Sequence, residues 1–93
     1  MSHVPVGITW SGSSAAAHPD KAVITLSLGQ DSVQWTSAGN FIINIQGNKI
    51  HAAQQGGQWV AESPRYTSPQ KIAYAITPPT GGPGDDPEID IQS

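Results

Sequence analysis

The stretch VQWTSAGNFIINIQGNKIHAAQQGGQWVAE, residues 33–62, decides the fold class. Apolar residues alternate with polar ones along it, as Ile43 and Ile45 do on either side of Asn44. Glycine-containing turn sequences separate the alternating runs, at residues 37–39, 47–48 and 56–57. Alternation of period two between such turns predicts short antiparallel strands joined as a meander of hairpins.

The lengths of these turns predict how the strands pair, because a two- or three-residue turn fixes the register of a hairpin. The predicted opposite pairs are Trp35 with Phe41, Ile45 with Ile50, Asn44 with His51, and Ala53 with Val60. All the registers give one inward face, and agreement between independent turns supports the pairing. The residues expected on that core side are Trp35, Phe41, Ile43, Ile45, Ile50, Ala52 and Trp59.

Further segments with the same alternation bring the total to roughly seven or eight short strands with no helix. They are residues 6–10, 22–28, 71–77 and 88–91. The alternation in the second of them places Leu28 on the same face as Ile24. Residues 11–17 are small and are expected to form a loop, and residues 78–87 a Pro- and Gly-rich connection that cannot pair in a ladder. We predict one all-β domain over residues 1–93, an antiparallel Greek-key β-sandwich.

The composition argues against several classes of partner. Charged residues make up 12% of the chain and the formal net charge is −3. The four basic residues are scattered, whereas a nucleic-acid surface needs a dense basic stripe. The chain has no long apolar run, so we expect no membrane span. It has no cysteine, which removes disulfides and thiolate chemistry, and we expect no cofactor.

Several short motifs resemble those of short, uncharacterised bacterial single-domain proteins with an immunoglobulin-like or cupredoxin-like sandwich. The motifs are the Val-x-Trp strand at residues 33–35, the Gly-x-Phe hairpin at residues 39–41, the strand bearing Tyr74 and the closing sequence of residues 86–91. The resemblance covers about residues 22–91; it implies the fold and brings no activity with it. Blue copper is excluded on ligands, because the chain lacks cysteine and its methionine is Met1.

The predicted registers leave an apolar row on the outer face of the meander. Ile42, Ala53 and Val60 are expected to be neighbours there, beside Asn44 and His51. Contiguous apolar side chains on a wet face indicate a contact surface. The row therefore predicts docking onto a protein partner or a homodimer, unless a loop covers it.

Tryptophan raises the alternative of a carbohydrate-binding module, because an exposed indole stacks on a sugar ring. Trp35 is expected in the core of this fold class and Trp59 on the inward face. Trp10 is the tryptophan most expected to be exposed, and Trp59 is the second candidate, both acting with Asn and Gln side chains.

Metal binding and catalysis receive little support from the residues. Asp85 and Asp86 are weak candidates for a calcium site, because they lie in an acidic cluster without the spacing of an EF-hand loop. The three histidines, His3, His18 and His51, fall on different elements, and one histidine does not make a site. No nucleophile elbow or phosphate-binding loop is present, so we expect a protein that is not an enzyme.

Overall fold

Two five-stranded β-sheets pack face to face in the computed structural model, which describes residues 2–11, 14–18, 20–77 and 87–93. A 3-10 turn, Leu26–Leu28, separates the third strand from the fourth. The strands of the described residues are β1 (Ser2–Ser11), β2 (Ser14–His18), β3 (Lys21–Thr25), β4 (Gln30–Ser37), β5 (Ile42–Ile45), β6 (Asn48–His51), β7 (Ala53–Gln55), β8 (Gln58–Glu62), β9 (Gln70–Thr77) and β10 (Glu88–Gln92).

The strand orders confirm an all-β sandwich but correct its details. The first sheet has the order β2-β1-β4-β8-β7 and the second the order β3-β10-β9-β5-β6. Each sheet contains a parallel pair, β1 with β4 in the first and β3 with β10 in the second. The prediction of a purely antiparallel sandwich is therefore wrong, because strands distant in sequence meet in the same direction within both sheets.

The two short hairpins test the predicted registers. The Gly56-Gly57 turn places Ala53 opposite Val60, as predicted. The turn predicted at Gly47 and Asn48 lies one residue earlier, at Gln46 and Gly47. The φ values of these two residues, 50° and 78°, are both positive. Positive φ at both central residues is the geometry of a type I′ turn, which matches the twist of the strands.

This movement of the turn changes the pairing without changing the faces. Ile43, not Ile45, lies opposite Ile50, and Ile42, not Asn44, lies opposite His51. Each residue of β6 thus pairs with a residue of β5 two positions earlier than predicted. Because side chains point to the same face at every second residue of a strand, this shift keeps the faces unchanged. Ile43 and Ile45 therefore still point inward and Ile42 outward, as predicted.

The predicted hairpin between Trp35 and Phe41 is wrong. Trp35 lies in β4 of the first sheet, and residues 38–41 lead to β5 of the second sheet. The chain returns to the first sheet between β6 and β7. The alternation of residues 33–62 encodes which side chains point inward, and both sheets of a sandwich satisfy that pattern equally well.

The predicted core face is nevertheless confirmed. Trp35, Phe41, Ile43 and Ile45 are buried. The remaining three predicted residues are partly buried and packed against the core; they are Ile50, Ala52 and Trp59.

Two other segments depart from the prediction. Leu28 is 72% exposed, because the strand ends at Thr25 and a 3-10 turn follows. Residues 11–17, predicted to be a loop, include part of β2, whose Ala15 and Ala17 are buried against β1. Small side chains are poor strand formers, so tertiary packing overrides propensity here. Residues 78–86 of the predicted Pro- and Gly-rich connection lie outside the described residues.

A polar contact inside the core joins the two sheets. The indole Nε1 of Trp35, in β4, donates a hydrogen bond of 3.0 Å to the hydroxyl of Tyr74, in β9. The two rings meet edge to face, with centroids 5.2 Å apart and planes at 60°. Both residues are buried, so the contact satisfies an indole N–H that would otherwise be desolvated without an acceptor.

We expect Tyr74→Phe to lower the free energy of unfolding by about 1–3 kcal/mol, because it leaves the buried indole N–H of Trp35 without its acceptor. The matched control is Tyr66→Phe, since the Tyr66 hydroxyl is buried with no hydrogen-bond partner in the part of the chain that the structure describes. That substitution should be neutral or stabilising. Urea unfolding of both variants measures the difference, and equal losses would contradict the assignment.

Candidate functional site

The predicted apolar row is divided between the two sheets. Ala53 and Val60 are neighbours in the first sheet, whereas Ile42 lies in β5 of the second. Val60 is also only 8% exposed. Asn44 and His51 accompany Ile42 in the second sheet, where His51 lies opposite Ile42. The prediction that these side chains adjoin as one patch is therefore wrong, for the same reason that the Trp35–Phe41 hairpin is.

The two candidate sugar-stacking tryptophans both pack against the core. Trp10 is partly buried, and its indole Nε1 donates a hydrogen bond of 2.8 Å to the hydroxyl of Ser37. Trp59 is partly buried as well and lies opposite Ser37 in the inward row of the first sheet. Part of the surface of each indole is therefore packed against the core and is not available to stack on a sugar.

The weak calcium candidates of the sequence analysis remain predictions. Asp85 and Asp86 lie outside the described residues. Within the described ranges, no group of three or more His, Cys, Asp or Glu side chains is arranged to hold a metal ion. None of the elements described is a helix long and apolar enough to cross a membrane.

A shallow depression of about 390 Å³ lies on the outer face of the first sheet. Gly7 lies between His18 of β2 and Thr36 of β4, so the centre of this row has no side chain. The Oγ1 of Thr9 and the Nε2 of His18 are 3.0 Å apart. Hydrogen-bonding side chains thus surround a small open area. The lining residues are Gly7, Ile8, Thr9, His18, Thr36, Ser37, Ala38 and Gln58.

The edge of the second sheet is formed by β3, and its hydrogen-bonding pattern follows from one bond. The backbone N–H of Glu88 donates to the carbonyl of Asp20 at 3.1 Å, and Glu88 pairs with Lys21. In a parallel ladder with that bond, Ala22 and Ile24 turn their backbone groups toward β10. Alternate residues of the strand, including Val23, turn theirs toward the other side, where no strand of the described residues pairs.

One outward backbone group of this edge is capped from within the chain. The N–H of Thr25 donates a hydrogen bond of 2.9 Å to the side-chain Oε1 of Gln30. This bond confirms that the alternate residues of β3 face away from β10. It occupies the N–H of Thr25, so the edge keeps the carbonyl of Thr25 and the backbone groups of Lys21 and Val23.

Val23 places a solvent-exposed apolar side chain on this edge. It is 40% exposed, and the other large hydrophobic residue exposed in the described part of the chain is Leu28, in the adjoining turn. Sequence reasoning missed this site. Val23 belongs to a strand recognised from its alternation, but no local signal shows that this strand ends a sheet.

Charged side chains flank the same edge and are neutralised within the chain. Lys21 Nζ lies 3.4 Å from Asp90 Oδ2 and 3.7 Å from Glu88 Oε1. Gln92 Nε2 donates a hydrogen bond of 3.1 Å to the same carboxylate of Asp90. The Gln92 hydrogen bond, and then the bond and charge of Lys21 with the charge of Lys71, lower the pKa of Asp90. These contacts fasten β3 to β10.

A second polar cluster stabilises the segment after β8. The Ser63 hydroxyl accepts a hydrogen bond of 2.8 Å from Val33 N–H and donates one of 2.9 Å to the carbonyl of Pro64. Burial raises the pKa of the neighbouring Tyr66 hydroxyl. These contacts hold the segment along the start of β4, so we interpret the cluster as structural.

We expect Asp90→Asn to reduce the loss of thermal stability that the protein shows as the pH falls. The folded-state pKa of Asp90 lies below its unfolded value of about 3.9, so its ionised form contributes stability above about pH 4 that is lost as the pH falls through the folded pKa. Melting temperatures measured from about pH 2 to pH 7 should therefore fall less in Asp90→Asn than in the wild type. Gln92→Ala should lie between them, and superimposable curves for all three proteins would refute the coupling.

Comparisons of the chain with protein-family models, with curated proteins and with solved structures gave no match. The fold class therefore rests on the strand pairing itself, and the function on the surfaces described above.

Proposed function

We propose that this chain is a non-enzymatic protein-interaction module that pairs a strand of its partner with the free edge of β3. The observation that carries the proposal is the outward-facing backbone of Val23, which has no pairing strand among the described residues and bears an exposed apolar side chain. Strand addition of this kind takes its affinity from main-chain hydrogen bonds and its specificity from alternate side chains.

The side chains of β3 favour pairing with a strand of another chain, because they include few of the features that protect an edge from such pairing. Proteins guard exposed edges with charged side chains, proline or bulges, because an open edge is a template for another strand. The charge on β3 is Lys21, and it is already paired with Glu88 and Asp90. The edge of the same sheet at β6 differs, since it carries Lys49 and His51. Among these two edges, β3 is the one that presents an apolar residue to a partner.

The immunoglobulin-like or cupredoxin-like Greek-key relationship is part of the proposal and rests on the sequence motifs. Trp35 at the centre of the core supports it, because a buried tryptophan packed between the sheets is typical of that sandwich class. The non-enzymatic assignment rests on the sequence as well, which holds no nucleophile or phosphate-binding motif.

Carbohydrate binding is the second candidate, and the depression beside Gly7 favours it. Thr9, His18, Thr36 and Gln58 supply hydrogen-bonding side chains around an open floor, which suits a polyhydroxy ligand. The candidate sugar site is therefore placed at this depression and not at Trp10 or Trp59, because those two indoles pack against the core.

We expect Val23→Pro to abolish capture of a protein partner and Val23→Thr to retain it. Proline removes the outward N–H, which the strand does not use in its own sheet, while threonine keeps both the N–H and the branched shape. The measurement is affinity capture from the extract of the source organism, followed by titration of the purified partner against each variant.

Leu28→Lys is the matched control, because among the described residues it changes the other exposed large hydrophobic side chain without altering the edge. It should bind as the wild type does. A partner lost in Leu28→Lys but retained in Val23→Pro would overturn strand addition. If no protein binds, the wild type and His18→Ala are compared on a glycan array. A glycan that binds the wild type but not His18→Ala would support the carbohydrate candidate.

A further inference from the structure

We infer that the strand received at this edge is β3 of a second copy of the chain, so that two copies pair antiparallel about a two-fold axis at Val23. This inference rests on the proposed function and names its partner. The second sheets of the two copies would then form one continuous ten-stranded sheet.

The backbone pattern of β3 fits this pairing. Val23 turns both its N–H and its carbonyl outward, so at the two-fold axis it can exchange both hydrogen bonds with the partner's Val23. Two positions away, Lys21 can donate its N–H to the carbonyl of the partner's Thr25. The Thr25 N–H stays on Gln30 throughout, so no internal bond has to break.

The neighbouring registers are poorer. A shift toward the C-terminus sets Val23 opposite the partner's Thr25, whose N–H is occupied by Gln30. A shift toward the N-terminus sets Lys21 opposite the partner's Val23 and brings the two Lys21 side chains closer together. The register centred on Val23 avoids both problems.

The charges on the outer face are compatible with this arrangement. Lys21 faces the partner's Thr25, a neutral residue, and the two Lys21 residues are about 14 Å apart along the paired strands. That separation exceeds the Debye length of about 8 Å at physiological ionic strength. Each Lys21 is also held by the Asp90 of its own copy at 3.4 Å.

The side chains supply the attraction. On the outer face the two Val23 residues lie opposite each other, which covers apolar surface now 40% exposed with a β-branched cross-strand pair. On the inner face Ala22 and Ile24 are already buried, so pairing exposes nothing. A single strand pair buries less area than a standard interface, so a weak, concentration-dependent dimer is expected.

Analytical ultracentrifugation over about 10 µM to 1 mM tests the inference, since that is the range expected of a small interface. The wild type and Val23→Thr should move from 9.7 kDa toward twice that mass as concentration rises. Val23→Pro should stay at the monomer mass, with a circular dichroism spectrum and melting curve that report whether it is folded.

Val23→Glu provides a second variant if proline prevents folding, because it keeps the N–H and places two carboxylates opposite each other at the axis. Its dimer should dissociate about tenfold more readily. A wild type that remains a monomer throughout would overturn the homodimer while leaving the capture of another protein at Val23 intact. A folded Val23→Pro that dimerises like the wild type would overturn the edge itself.

Discussion

The hydrogen bond from the Trp35 indole to the Tyr74 hydroxyl joins the middle of one sheet to the middle of the other. Trp35 lies in β4, which has β1 on one side and β8 on the other, and Tyr74 lies in β9, between β10 and β5. An indole N–H buried at this depth needs an acceptor, so the bond restricts how the sheets can be placed. In the second sheet β10 separates β9 from β3, which lies at the edge.

The two outer faces of the sandwich then acquire different chemistry. The outer face of the first sheet holds, around Gly7, the depression lined by hydrogen-bonding side chains. The outer face of the second sheet carries Lys21, Glu88 and Asp90, which fasten β10 to β3. Val23 lies beside this cluster, so the edge is firmly attached to its own sheet while its other side stays available.

The sequence predicts which side chains face inward far better than which strands are neighbours. Alternation correctly identifies Ile43 and Ile45 as core residues, and Gly56-Gly57 correctly sets Ala53 opposite Val60. Both depend on contacts local in the chain, where period and turn chemistry act directly.

Long-range pairing has no comparable local signal. Ile42 and Val60 satisfy the same outward pattern, yet they belong to different sheets. The exposed edge at Val23 depends on β10, almost seventy residues further along the chain, pairing with β3 on one side only. The candidate site therefore emerges from topology, whereas the fold class was accessible from periodicity alone.

Amide hydrogen exchange along β3, measured at about 10 µM where a weak dimer is dissociated, tests the central claim most directly. The free edge predicts slow exchange at Ala22 and Ile24, which bond to β10, and fast exchange at Val23 between them. Equal protection of all three amides at this concentration would show that the edge is already covered within the monomer and would contradict the account.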